Sequence, residues 1–264
     1  MKFSITSSYN TSRIELIALI PQTVPGRQDV LSIVHSINPS KVFNSDGNKY
    51  AEYVFVDPER SIDINIKAEI EIFKYDLNTA MNNRYPAYEQ HLGKYLIREK
   101  YIEKDDPMIQ KVARQITGKN EIGRVEKIYD FVLDNIEYSG YNTGEIGAAR
   151  TLNDKKGDCN DYSDLFIALC RAKKIPARVA EGHTVEFDET PGHAWAEVYF
   201  RRHGWVPFDP LWGDLGAVSF ENSINSYIYL SNTRNDDILS NGHYFTYRWW
   251  GEPIQCDDTV SLTY

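Results

Sequence analysis

From Ile62 to Ile72 the chain alternates without a break. Ile62, Ile64, Ile66, Ala68, Ile70 and Ile72 are separated by Asp63, Asn65, Lys67, Glu69 and Glu71. Successive side chains of a strand point to opposite faces, whereas a helix would scatter this pattern around its circumference. The run therefore makes a strand with one buried and one wet face, and the buried face needs a second layer to cover it. Candidate partners surround it. Arg13 to Ile20 is a more apolar run stopped by Pro21, Val30 to Ile37 is stopped by Pro39, and Lys49 to Val56 is followed by Pro58. Asp46-Gly47-Asn48 supplies a turn between them. Strands this regular predict an antiparallel β-sandwich over residues 1–76. His35 lies within a strand pattern and reads as structural.

The period then changes. Residues 77–106 are mixed and read as a linker with some helix, such as Ala87 to Tyr95. Asp105-Asp106-Pro107 is a helix-start signal. Beyond it, Ile109, Val112, Ala113 and Ile116 form one apolar helical face, and Val125, Ile128, Tyr129, Val132 and Leu133 another. Short strands follow: Ala177 to Ala180, then a hairpin of His193 to Phe200 and Trp205 to Phe208 across Arg202-His203-Gly204. Glu181 to Gly192 reads as a loop, His183 and His203 as loop and turn residues, and Tyr227 to Leu230 and Tyr244 to Trp250 as further strands. Helices followed by an antiparallel sheet predict an α+β domain over residues 107–264.

Chemistry concentrates in the stretch from Gly157 to Ala172. Tyr162, Leu165, Phe166, Leu169 and Ala172 fall at helical spacing. Asp158 is a good N-cap and Asp161, three residues on, nearly completes a capping box. Cys159 thus falls in the first helical turn, where unpaired backbone N–H groups favour a thiolate. The nearby Asp158, Asp161 and Asp164 oppose ionisation, so a base elsewhere must compensate. His193 opens the first hairpin strand and Asp209 follows the second. A hairpin sets these ends side by side, so Asp209 can orient an imidazole that takes the Cys159 proton. An oxyanion hole would use the Cys159 backbone N–H. Asn153, Tyr138 and Tyr141 are candidates for its second donor or for the cleft wall. Cys170, mid-helix and about 16 Å from Cys159 along the axis, cannot form a disulfide with it and reads as a packing residue. A zinc site of Cys159, His183 and His193 is conceivable from residue types but lacks a short-spaced ligand pair.

Composition narrows the function classes. The chain is 42% apolar and 25% charged, close to the globular norm. Its net charge is −9, and no basic run exceeds two residues, which argues against nucleic-acid binding. No apolar run approaches the length of a membrane helix, and Met1 to Thr6 lacks the apolar core of a signal peptide. Three cysteines do not make a disulfide framework. The expectation is a cytoplasmic protein with no membrane partner, and oligomeric state is open.

Four blocks together carry a resemblance. Gly157-Asp158-Cys159, then Leu169-Cys170-Arg171-Ala172 with Ile175-Pro176-Ala177-Arg178, then His193-Ala194-Trp195-Ala196-Glu197-Val198, and Trp205-Val206-Pro207-Phe208-Asp209-Pro210 occur in the order found in the transglutaminase-like superfamily. The resemblance spans roughly half of the C-terminal part. It implies a papain-like fold with a Cys-His-Asp triad, and the matching residues are Cys159, His193 and Asp209. Ile20-Pro21-Gln22-Thr23-Val24-Pro25 resembles, less specifically, the β-rich N-terminal domain of many bacterial members. Leu211 stands where the family commonly has threonine, and Lys174 where glycine is more usual. No calcium cluster is evident, so no metal or other cofactor is expected. The implied reaction is acyl transfer through a thioester on a peptide or protein substrate. Hydrolysis by a cysteine protease or amidase is favoured over transfer to an amine by a glutamine transglutaminase. The rival of another class is a non-catalytic peptide-binding module.

Overall fold

The computed structural model describes residues 1–82, 91–141, 144–185, 192–224, 226–240 and 243–263. The chain forms two compact units. The first contains Met1–Phe73, Gly182–Gly192 and Ser226–Tyr264, and the second Lys74–Glu181 and His193–Asn225.

The first unit opens with β1 (Lys2–Thr6), β2 (Arg13–Leu19), β3 (Gln28–His35), β4 (Lys41–Ser45), β5 (Asn48–Val56) and β6 (Ser61–Ile72). Asp46 and Gly47 both adopt positive φ and turn β4 back into β5, which explains the glycine there. Late in the chain come β12 (Tyr227–Ser231), β13 (Phe245–Trp250) and β14 (Gln255–Thr259). Two four-stranded antiparallel sheets result, ordered β14-β1-β6-β3 and β13-β2-β5-β4. The register sets Phe3 opposite Ile64 and Ile5 opposite Ile62 in one sheet, and Leu16 opposite Tyr53 in the other. These residues, with Ile14, Ala18 and Ile66, fill a single apolar core from both sheets. That shared core makes the unit a sandwich. The alternation in β6 has the expected consequence at its start, where Ile62, Ile64 and Ile66 are buried and their polar neighbours exposed. His35 has the structural role expected of it, with its Nδ1 2.7 Å from the Tyr53 hydroxyl.

The second unit contains α1 (Leu77–Asn82), α2 (Pro107–Gln115), α3 (Glu121–Asn135), α4 (Ala148–Asp154), α5 (Cys159–Ala172) and α6 (Pro210–Asp214). Its strands are the two-residue parallel pair β7 (Glu137–Tyr138) and β8 (Lys156–Gly157), and β9 (Ala177–Thr184), β10 (Gly192–Phe200) and β11 (Gly204–Phe208), in sheet order β11-β10-β9. β9 continues past Glu181 into the first unit, and β10 returns the chain from it. Helix α5 is the axis of this unit. The helices α2, α3, α4 and α6 all pack on it, and every residue from Asn160 to Arg171 is buried. Its polar residues are held inside: the Arg171 guanidinium donates to the carbonyls of Ala177 and Ile97 and pairs with Glu99. Among the described residues no helix is long and apolar enough to cross a membrane.

The division of the chain differs from the expected 1–76, 77–106 and 107–264. Residues from Lys74 onward join the second unit, because Tyr75, Leu77, Ala80, Tyr95 and Ile102 are all buried. The described part of the expected linker is thus packed structure. Its expected helix from Ala87 to Tyr95 lies partly outside the described residues, and Leu92–Leu96 forms a 3-10 turn. The C-terminal strands belong to the sandwich, because β14 supplies an edge to β1 and β13 an edge to β2. The expected loop from Glu181 to Gly192 begins as strand, since β9 runs to Thr184, so His183 is a buried strand residue.

Candidate active site

Helix α5 starts as its sequence demands. The Asp158 carboxylate accepts from the N–H groups of Asn160 (3.0 Å) and Asp161 (3.3 Å), and the Asp161 carboxylate accepts from the Asp158 N–H (3.0 Å). This is a reciprocal capping box built from two aspartates. Gly157 makes it possible. A Cβ on Gly157 would stand 2.4 Å from the Cβ of Asp161, so any side chain there would push the box apart. Cys159 is the first residue of the helix and is partly exposed. The cap takes the N–H groups of the next two residues, Asn160 and Asp161.

The hairpin of β10 and β11 does what its pattern requires. Ala196 pairs with Phe208, which brings His193 and Asp209 together. His193 Nε2 lies 2.6 Å from Asp209 Oδ2, with both side chains buried. With Nε2 held by the carboxylate, Nδ1 is the ring atom left for Cys159, whose side chain is a further hydrogen-bond partner of His193. Burial pulls the imidazole pKa down. The Asp209 charge and hydrogen bond, followed by Cys159, outweigh it and push the pKa up to about 10. The ring is therefore a strong base, braced by a carboxylate and adjacent to a thiol.

The other sequence candidates separate. Tyr141 is exposed, and its hydroxyl pKa is raised by partial burial and then by the charges of Asp158, Cys159 and Glu145. Tyr138, also exposed, pairs with Gly157 across β7 and β8, two residues before Cys159. Asn153 is exposed in the last turn of α4, and its amide donates to Asp154 (2.8 Å), an arrangement that gives no support to an oxyanion role. Cys170 is fully buried, and burial raises its pKa strongly, as suits an inert packing thiol. Glu197 is fully buried and pairs with Arg178 at 2.7 Å, while that guanidinium lies 4.1 Å over the Trp205 ring. Among the described residues no group of three or more His, Cys, Asp and Glu side chains is placed to hold a metal ion.

Several contributors were not legible in sequence. Trp212 stacks on His193, with ring centroids 4.2 Å apart and planes 10° from parallel. It shields the imidazole from water on one face. The Trp212 N–H also donates to Asp209 Oδ1 (3.0 Å), so one residue both covers the base and holds its partner. The Tyr129 hydroxyl donates to the Asp209 backbone carbonyl (3.0 Å). The Tyr162 hydroxyl, one turn into α5, lies 2.8 Å from both the Ile136 carbonyl and an Asp214 carboxylate oxygen. Ile136 and Asp214 also line a polar cavity of about 460 Å³ together with Glu137, Tyr138 and Lys155. The only sequence signal for these contacts was aromatic content around the motif.

Comparison with known proteins places the fold that carries this site. Residues 110–210 match the model of the Transglutaminase-like superfamily. The crystal structure of a "Putative Cysteine Protease" from Cytophaga hutchinsonii superimposes with a TM-score of 0.63 at 21% identity, covering 99% of this chain and 92% of that one. At that identity the likeness speaks for the fold, and it extends over both units. Among curated proteins, an uncharacterized protein of Haemophilus influenzae is 26% identical over 69% of this chain and 59% of its own length. YebA of Bacillus subtilis, also uncharacterized, is 26% identical over 49% of this chain and 21% of its own. The chain thus spans less than two thirds of either curated relative. The segment from residue 110 to residue 210, which carries Cys159, His193 and Asp209, belongs to the transglutaminase-like superfamily.

Proposed function

We propose that the chain is a cysteine-dependent acyl-transfer enzyme that cleaves a peptide or carboxamide bond, with Cys159 as nucleophile, His193 as base and Asp209 as the group that orients the base. The observation that carries this reading is the 2.6 Å contact of His193 Nε2 with Asp209, which leaves the other ring nitrogen to Cys159 at the start of α5. In the first step the Cys159 thiolate, its proton already on His193, bonds to the carbonyl carbon. The carbonyl oxygen becomes an oxyanion, stabilised by the Cys159 N–H at the positive end of α5. Collapse of this intermediate breaks the C–N bond, and His193 returns its proton to the departing amine. Water then attacks the thioester, losing a proton to His193, and releases a carboxylic acid and the free thiol. Asp209 stays ionised throughout and stabilises the imidazolium. The fold likeness to the "Putative Cysteine Protease" supports hydrolysis as the outcome, with a peptide or protein as the acyl donor.

The test is the pH profile of Cys159 alkylation by iodoacetamide in the unmodified chain and in His193→Ala. We expect fast labelling well below the pKa of about 8.5 of an ordinary thiol, slowed roughly tenfold or more by the substitution. Peptide amides with and without a primary amine then separate the products. Free acid indicates hydrolysis, and a new amide indicates transfer to the amine. Labelling as slow as that of a free thiol and indifferent to His193 would leave a peptide-binding module in its place.

A further inference from the structure

The acceptor sites of Asp209 are engaged at both ends of the residue. Oδ2 meets His193 (2.6 Å), Oδ1 accepts from the Trp212 N–H (3.0 Å), and the backbone carbonyl accepts from the Gly213 N–H (3.0 Å) and the Tyr129 hydroxyl (3.0 Å). Three of these contacts come from Asp209's own helix or from the base. The fourth comes from α3, 80 residues earlier in the chain. Tyr129 is 3% exposed, and its ring packs edge-on against Phe166 of α5, the helix that starts at Cys159. A second, independent feature concerns the same hydroxyl. A Cβ built on Gly213 would stand 1.9 Å from the Tyr129 oxygen, so the hydroxyl occupies the space that any side chain at Gly213 would fill. The glycine is thus the opening through which α3 reaches the backbone of Asp209.

We infer that Tyr129 and Gly213 form a lock in which the Tyr129 hydroxyl acts as a positioning residue, holding the Asp209 backbone so that its carboxylate meets His193. This rests on the acyl-transfer reading only in the role given to His193. Asp209 and Cys159 act on His193, while Asp209, Asp130 and Asp214 act on Tyr129. Burial, then the charge of Asp209, raises the Tyr129 pKa, so the phenol remains a donor across the working pH range. A carboxylate that drifts from the imidazole stabilises the imidazolium less, and His193 then titrates at lower pH.

The test is Tyr129→Phe in the full chain, which removes the oxygen and keeps the ring. The His193 titration is followed by NMR, and the Cys159 alkylation profile is measured beside the unmodified chain. We expect the His193 titration to move to lower pH and alkylation below the ordinary thiol pKa of about 8.5 to slow about three- to tenfold, the range for loss of one buried hydrogen bond, because a weaker imidazolium leaves less thiolate. Gly213→Ala, which displaces the hydroxyl, moves the titration the same way. A His193 titration in Tyr129→Phe that superimposes on the parent overturns the lock, whether or not Cys159 is reactive. Slow, His193-independent alkylation in the parent instead overturns the acyl-transfer reading, and the titration still reports on the lock.

Discussion

His193 is where local chemistry and stability meet. Its pKa is raised from the ordinary 6.5 to about 10, because the Asp209 charge and hydrogen bond and the Cys159 contact more than offset the burial that lowers it. The folded chain therefore holds this proton more tightly than the unfolded chain. The sign follows from linkage: the stabilisation is complete below pH 6.5 and is lost as pH rises toward 10. We predict that the unfolding temperature of the parent falls across that window and that the slope is visibly smaller in His193→Gln, read by thermal scans at several pH values. Equal slopes would mean that the imidazole gains no proton affinity on folding. At this scale the sequence disclosed much. Cys159, His193 and Asp209 stood out because a helix start and two hairpin ends are local features. Trp212, Tyr129 and Gly213 did not, because stacking and the close approach of α3 to α6 are facts of packing.

At the scale of elements, α5 shows how a short sequence can dictate a precise end and still conceal its surroundings. Asp158 at the N-cap and Asp161 three residues on form the reciprocal box that their spacing suggests. Replacing Asp158 with alanine removes two accepted N–H bonds at a buried cap. The expected cost is about 1 kcal/mol, measurable by urea unfolding. No change in the midpoint would show that the cap is replaced without loss. The apolar spacing of the helix suggested a single buried stripe, yet the helix is buried on all sides. Sequence periodicity cannot reveal that four other helices close around its polar residues. Arg171, in the last turn of the helix, binds the carbonyls of Ile97 and Ala177.

For the whole molecule, the path of the chain matters more than any one element. The first unit is assembled from three separate segments, and its two sheets are completed by β13 and β14 from the far end of the chain. A fragment of residues 107–264 would carry those strands without β1 and β2 and would lack the buried residues between Tyr75 and Ile102. We predict that it fails to unfold cooperatively in a circular-dichroism melt and that removing residues 245–264 from the full chain lowers its melting temperature. A cooperative fragment with full Cys159 reactivity would contradict this division. Sequence alone determined the elements whose causes are local: the alternating strand at Ile62, the turn at Asp46 and Gly47, the capped helix at Cys159 and the hairpin that joins His193 to Asp209. Tertiary structure decided which strands pair and where the units divide. Lys2 pairs with Thr259, and Arg13 with Trp250. Strand pairing satisfies backbone groups that are alike in every residue, so such distant partners leave no local mark and are selected only when the whole core closes.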